Sequence, residues 1–341
     1  MPYRVNSCFD DFIRYRVNLD PDRTKVARAS RNNLLNNLQE LSNAGVLPKH
    51  YAEKNLSYGS FARSTKIRPL DDIDLMVCLS ACGGHYTEIT RNTLYTIKMQ
   101  DGLEIYDELK DDDGNLNSRK LINRIIKGLS SLRDYQKAEI KRNQEAATLQ
   151  LKSYEWNFDI VPCFYANDDF YLIPDGKGNW KKTDPRIDDQ RMNRAKAIVS
   201  QWNSNAKDLQ TFIRLMKYWK RENWADVVGS YMFEQMVLTF VESHGLKSDW
   251  QSNVQDCLLS FSQQILGTVN DPKRMQGDLN TLDYDSRRRY SQIANSDYNT
   301  SRTAIIEEAT ANMLQRTHER AISLWNDVFG EGFKKYGESY C

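Results

Sequence analysis

The shortages in this sequence are its first guide. Six cysteines (Cys8, Cys78, Cys82, Cys163, Cys257 and Cys341) are scattered over 341 residues with no Cys-x-x-Cys and no Cys/His cluster. That distribution speaks against structural zinc and against a disulfide framework. Cys78 and Cys82, the nearest pair, read as packing residues where a strand runs into a Gly-Gly turn. Long apolar runs are also missing. The stretch from 232 to 241 is interrupted by Glu and Gln, far short of the roughly 20 apolar residues of a membrane-spanning helix, so no membrane association is expected. Nor is there an apolar segment behind a basic start in Met1 to Cys8, so no secretory signal is expected and the cytoplasm is the expected compartment. Charge of one sign is absent too: 47 Lys and Arg balance 46 Asp and Glu, a net charge of +1. No global field draws the chain to a polyanion, and any such partner must be met locally.

What is present describes a folded protein of two parts. Apolar residues make up 40% and charged residues 27% of the chain, ordinary values for a globular protein. At about 150 residues per domain the length suggests two lobes. Asp20-Pro21 followed by Val26, Leu34, Leu35, Leu38 and Leu41 predicts a long amphipathic helix over about 21–43, ending near Gly45. The run from Asp72 to Leu79 alternates acid and apolar and then becomes wholly apolar, as a half-buried strand does. Asp111-Asp112-Asp113 lacks the spacing of a calcium loop and reads as a solvated turn. After it, Ser118 is expected to cap a helix bearing Leu121, Ile122, Ile125, Ile126 and Leu129. Strand patterns return over 140–151 and 154–164, the second placing Asp159 among apolar neighbours in Phe-Asp-Ile-Val-Pro. Residues 166–190 read as loop with a turn at Pro174-Asp175-Gly176. Beyond about 192 the pattern is helical, with apolar stripes at Ile213-Met216-Trp219, Met232-Met236-Phe240 and Ile305-Ala309-Leu314.

On a strand, residues i and i+2 share a face with Cα atoms roughly 6.6 Å apart, so Asp72 and Asp74 project side by side. Two such carboxylates repel unless a positive charge lies between them. With Asp159 on a neighbouring strand they could hold two divalent ions about 3.5–4 Å apart for in-line phosphoryl transfer. Taken alone, an Asp-x-Asp is better explained as a pair of surface acids at a strand start. The segment Ser57 to Thr65 shifts the balance. Gly59 permits close backbone approach, Ser60 offers a hydroxyl and an amide, and the residues after them can open a short helix.

Gly59-Ser60, Asp72-Ile73-Asp74 and Asp159 together resemble the catalytic signatures of polymerase-beta-type nucleotidyltransferases. Ile213 to Lys220 with Gly229-Ser230-Tyr231, and the segment from Ala321 to Phe333, resemble the helical lobe of cyclic GMP-AMP synthase, oligoadenylate synthase and especially the bacterial CD-NTases. The likeness runs from about residue 20 to 335. It implies an α+β, bilobed polymerase-beta-like fold with a mixed-sheet N-terminal lobe (1–190) and a helical C-terminal lobe (191–341) closing a nucleotide cleft and ending in a short polar tail. It implies an enzyme that joins nucleoside triphosphates into a cyclic di- or trinucleotide messenger in antiphage signalling, releasing pyrophosphate. By the same resemblance Asp72 and Asp74 hold both Mg²⁺ ions, with Mn²⁺ able to substitute. Asp159 holds the catalytic one and helps deprotonate the acceptor hydroxyl. Gly59, Ser60, Lys217 and Ser230 would meet the donor triphosphate, and Tyr231 would stack on its base. Read by themselves, Lys217 is a solvated helix charge, Ser230 an N-cap and Tyr231 a packing aromatic. The implied partners are ATP and/or GTP, with pyrimidine triphosphates open, and an operon-encoded effector reached through the product.

Animal cyclic GMP-AMP synthase carries a Cys/His zinc thumb for DNA, whereas the four histidines here (His50, His85, His244, His318) stand apart from the cysteines. No activation by DNA is therefore expected. Arg287-Arg288-Arg289 lies beside Asp283 and Asp285 and reads as a solvated helix face. Two rival functions remain at this level: transfer of nucleotides to an RNA end or another acceptor, and a non-catalytic nucleotide-binding module. The balanced charge disfavours the first, and the three carboxylates disfavour the second.

Overall fold

The computed structural model describes residues 5–91, 93–224 and 227–333. The polar tail ending in Tyr340-Cys341 lies outside them. Helices are α1 (Val5–Phe12), α2 (Pro21–Asn43), α3 (Gly59–Ala62), α4 (Glu104–Asp107), α5 (Ser118–Ser130), α6 (Pro185–Trp202), α7 (Leu209–Asn223), α8 (Ser230–His244), α9 (Trp250–Gln264), α10 (Tyr284–Leu314) and α11 (Glu319–Phe329). Strands are β1 (Leu56–Ser57), β2 (Asp72–Leu79), β3 (His85–Thr90), β4 (Leu94–Lys98), β5 (Glu139–Asn143), β6 (Ala146–Gln150), β7 (Asn157–Ala166), β8 (Phe170–Pro174) and β9 (Trp180–Thr183). Two compact units result. One joins Met1–Asp20 and Thr65–Arg68 to Asp188–Cys341, and the other comprises Pro21–Ser64 and Pro69–Ile187. The fold class is α+β.

The second unit is built on a nine-stranded mixed sheet running β1-β2-β7-β8-β9-β4-β3, with β6 also on β7 and β5 on β6. β2 and β7 are parallel and aligned so that Asp74 faces Asp159 and Cys78 faces Cys163. At their N-terminal ends the strands alternate: Ile73, Leu75, Phe158 and Ile160 are buried while Asp72, Asp74 and Asp159 are half-buried on the other face. Farther along, both faces are covered, which is why the pattern becomes continuously apolar. Helix α2 buries Ala27, Leu34, Leu38 and Leu41 and leaves Val26 exposed, and Gly45 beyond it takes the positive φ of 72° that only glycine adopts freely.

Four sequence expectations are corrected here. The cap of α5 is Asn117, whose side chain accepts from the amides of Arg119 and Lys120, while Ser118 is the buried first helical residue. The strand pattern over 140–151 is interrupted by a turn that was not expected: it forms the hairpin β5–β6, because Gln144 takes φ 48° and turns the chain. The loop expected over 166–190 contains hairpin β8–β9 and the start of α6. Asp175 accepts from the amides of Lys177, Gly178 and Asn179 and so closes that hairpin turn. The stripe Ile305-Ala309-Leu314 is not the packed one, since Leu314 is 50% exposed and α10 instead buries Tyr290, Ala294, Ser301, Ala304 and Ala311. Alanine or serine at four of those positions lets α10 lie close on α9 and α11.

The helical unit has one aromatic core. Ile213, Met216 and Trp219 of α7 and Met232, Met236 and Phe240 of α8 all face it. Its N-terminal contribution is physical rather than sequential: Val5, Cys8, Phe9 and Phe12 are fully buried in it, and Phe9 meets Trp325 and Phe333 at ring-centroid distances of 5.0 and 4.8 Å. Carboxylate caps begin its helices, with Asp208, Asp249 and Asp283 accepting from Thr211, Ser252 and Ser286. Among the described residues no helix is long and apolar enough to cross a membrane.

Candidate active site

The acidic cluster sits where β2 and β7 begin. One carboxylate oxygen from each of Asp72, Asp74 and Asp159 lies within 4.8 Å of the other two. Strand alternation puts Asp72 beside Asp74, and the parallel register puts Asp74 beside Asp159. The next strand continues the row: Thr148, opposite Asp159 on β6, donates its hydroxyl to Asp159 Oδ1 at 2.6 Å. This bond fixes the Asp159 rotamer. The donor set is hard, anionic oxygen, which fits a divalent cation that also takes substrate phosphates.

Gly59 is pressed against this cluster. A Cβ at that position would fall 1.8 Å from Asp74 Oδ2, and φ is +75°. Space and backbone conformation independently require glycine there. It opens the four-residue helix α3, which carries the half-buried Ser60 and the buried Phe61. Tyr58, the residue before it, joins the same group. Burial, with the carboxylates of Asp74 and Asp159 adding to it, pushes its phenol well above the ordinary tyrosine range, so Tyr58 keeps its proton. Sequence reasoning passed over Tyr58 and Thr148. A threonine alternating into the acidic face was the available signal for the latter.

Beside the carboxylates the same unit carries a pocket of about 360 Å³ that Asp74 and Asp159 border at one side. Its apolar surface is Tyr58, Ala146, Val161 and Ile173, and its polar surface includes Asn143, Glu145 and Lys181. Lys181 on β9 pairs with Glu145 at 2.5 Å, both partly exposed.

The other three site residues expected from the sequence lie in the helical unit. Lys217 is 7% exposed and Glu234 1% exposed. The Lys217 ammonium donates to Glu234 Oε2 and to Thr65 Oγ1, the latter at 3.2 Å, while the Thr65 hydroxyl donates to Glu234 at 3.0 Å. Lys217 is thus a buried, paired cation rather than a solvated helix charge. Ser230 is the exposed first residue of α8, with Gly229 at the cap position. Tyr231 is half-buried. Its hydroxyl reaches Asp188 at 2.8 Å and Asp271 at 3.1 Å, and the Lys273 ammonium lies 4.2 Å from the centre of its ring. Lys273 in turn pairs with Asp188 at 3.0 Å. Asp271 is held by the amides of Lys273, Met275 and Gln276.

Comparison with known proteins gives this arrangement a lineage. Residues 82–195 match the family described as the Second Messenger Oligonucleotide or Dinucleotide Synthetase domain, a span that holds Asp159 and begins after Asp74. A probable cyclic nucleotide synthase of Bacillus cereus strain VD146 is 38% identical over 339 residues, covering 97% of this chain and 98% of that protein. The fold is shared with CdnC of Escherichia coli MS115-1, solved with ATP, at a TM-score of 0.69 and 17% identity over 96% of this chain and 98% of that one. It is shared also with the cyclic AMP-GMP synthase DncV of Vibrio cholerae, solved with a linear intermediate, at a TM-score of 0.55 and 16% identity over 83% of this chain and 70% of that one. Relatedness carried along both chains from end to end, on a fold common to CdnC and DncV, places this protein in the CD-NTase family of nucleotidyltransferases that make cyclic oligonucleotides.

Proposed function

We propose that this enzyme condenses nucleoside triphosphates into a cyclic di- or trinucleotide on the Asp72, Asp74 and Asp159 carboxylates, with ATP and/or GTP as substrates. The observation that carries this reading is the meeting of those three carboxylates with Gly59 packed onto Asp74. In each step a ribose hydroxyl of the acceptor attacks the α-phosphorus of the donor. The new P–O bond forms, the bond to pyrophosphate breaks, and the hydroxyl proton leaves to a carboxylate. The Asp159 oxygen not engaged by Thr148 is the proton acceptor in this reading. Gly59 and Ser60 carry the donor triphosphate beside Asp74, since the absence of a side chain there brings the backbone into reach. Asp72, Asp74 and Asp159 would hold two Mg²⁺ or Mn²⁺ ions, which when bound supply charge neutralisation and make the hydroxyl more acidic.

In the helical unit, Lys217 and Ser230 are assigned to the triphosphate and Tyr231 to the donor base. The Tyr231 hydroxyl, donating to the Asp188 and Asp271 carboxylates, holds its ring in one orientation. A cytoplasmic location, a role in antiphage signalling through an operon-encoded effector, and independence of DNA complete the proposal. Incubation with all four ribonucleoside triphosphates and Mg²⁺ or Mn²⁺, followed by mass spectrometry of phosphatase-resistant products, tests it. Cyclic products absent from Asp72→Ala/Asp74→Ala support the reading. Nucleotide transfer seen only when an RNA or small-molecule acceptor is added would refute it.

A further inference from the structure

From the pocket beside Asp159 we infer a base-selecting site: the Glu145–Lys181 pair reads the acceptor nucleotide and favours guanine. The inference rests on the synthase reading above and adds to it the side chains that choose one substrate. In-line transfer puts the attacking hydroxyl and the leaving pyrophosphate on opposite sides of the phosphorus. Gly59 lies against Asp74, and in this reading it takes the leaving side together with Ser60. Asp159 and Thr148 continue the row away from Asp74, so the attacking nucleoside belongs on their side, where the pocket is.

The pocket suits a nucleoside in size and in chemistry. At about 360 Å³ it is at the small end of ligand sites, with room for one nucleoside. Ala146 and Val161 are buried, and with Ile173 and Tyr58 they give an apolar surface on which a flat base can lie. The polar groups are held by two hairpin turns. Glu145 follows the β5–β6 turn at Gln144, Lys181 stands in β9 after the β8–β9 turn, and a Cβ on Gly176 of the latter would be 3.5 Å from Gln144 Cα. The turns support each other, so the Glu145–Lys181 pair is positioned by backbone and not only by its own attraction.

A carboxylate beside an ammonium is complementary to one base edge above the others. Guanine presents two adjacent donors, N1–H and the 2-amino group, next to the O6 acceptor. Glu145 would accept from the donors and Lys181 donate to O6. Adenine offers one exocyclic donor with an acceptor at N1, and cytosine and uracil each lack the paired donors. A mismatched base turns an acceptor toward Glu145 or a donor toward Lys181, and that repulsion is the stronger part of the discrimination.

The test separates acceptor from donor. With 2′,3′-dideoxyATP as donor, which has no ribose hydroxyl to attack with, each ribonucleoside triphosphate can act only as acceptor toward it, and the linear product keeps the acceptor's 5′-triphosphate for mass spectrometry. In the wild type, GTP should outcompete ATP about tenfold. Glu145→Gln and Lys181→Met should each bring the ratio close to one, and Lys181→Arg should restore it. Calorimetric binding of GMP and AMP gives a readout independent of turnover, in which the same variants lose a preference for GMP. A wild type that prefers another acceptor base, or variants that keep its ranking, would overturn the inference. If the wild type makes no product with this donor, the calorimetry alone decides whether the pair selects guanine, and the synthase reading fails only if the four ordinary ribonucleoside triphosphates also give none.

Discussion

The two units treat charge in opposite ways. In the sheet unit three carboxylates of one sign are gathered within 4.8 Å by strand register. In the helical unit two largely buried ammonium groups meet their complements: Lys217 has Glu234, and Lys273 has Asp188. Like charges brought together by a backbone cost free energy unless a cation offsets them, whereas a buried pair costs little while both members are present and a great deal when one is lost. The first cluster is therefore a place where chemistry is concentrated at the expense of stability. The second is a set of pins.

The sharpest way to break that contrast is to neutralise one carboxylate. Asp74→Asn should lower the rate of pyrophosphate release about a thousandfold while leaving the melting temperature unchanged or raised, because it relieves repulsion. A parallel loss of stability and activity would show that the cluster is structural. Removing one member of a pin should do the reverse. Lys217→Met takes the cation away from the buried Glu234 carboxylate, which keeps the Thr65 hydroxyl, and should destabilise the helical unit by about 3 kcal/mol or more, read by urea unfolding, with the double variant Lys217→Met/Glu234→Met recovering most of it.

Between these lies Gly59→Ala. The added Cβ would fall 1.8 Å from Asp74 Oδ2, so the carboxylate or the α3 backbone must move, and turnover should fall about a hundredfold from an ångström-scale displacement. Circular dichroism should be unaltered. The smallest effect is a matter of pH. Asp297, whose Oδ2 accepts from the Trp219 indole at 2.7 Å, has its carboxyl raised from 3.8 to about 6 by burial. Because the folded state binds that proton more tightly than the unfolded chain, its contribution is full below 3.8 and is lost as pH rises to about 6. Unfolding free energies measured across this window should decline with pH, and Asp297→Asn should flatten the slope.

The acidic site was legible because period two puts Asp72 and Asp74 on one face and Asp159 lies inside an apolar strand, and because together with Gly59-Ser60 they resemble the signatures of polymerase-beta-type nucleotidyltransferases. The change of period near residue 190 set an N-terminal α/β lobe apart from a helical one, and the α+β class itself came from the family resemblance. Other features depend on partners distant in sequence. That residues 5–12 belong to the helical core is decided by Trp325, Phe329 and Phe333, and nothing in α1 alone says so. The β8–β9 hairpin was hidden by its Asp, Gly, Pro and Lys content, which signals a turn but also masks two short strands of four or five residues. The burial of Lys217 was equally invisible, because a lysine on an amphipathic helix reads as solvated until Glu234 on the next helix is seen beside it.

The central claim, that Asp72, Asp74 and Asp159 form a divalent-cation site, can be tested without any substrate. Mn²⁺ titrated into the protein and followed by electron paramagnetic resonance should lose its free-ion signal to the wild type. It should keep that signal in Asp72→Asn/Asp74→Asn/Asp159→Asn at the same protein concentration and melting temperature. Uptake of Mn²⁺ by the triple variant equal to that of the wild type would contradict the account.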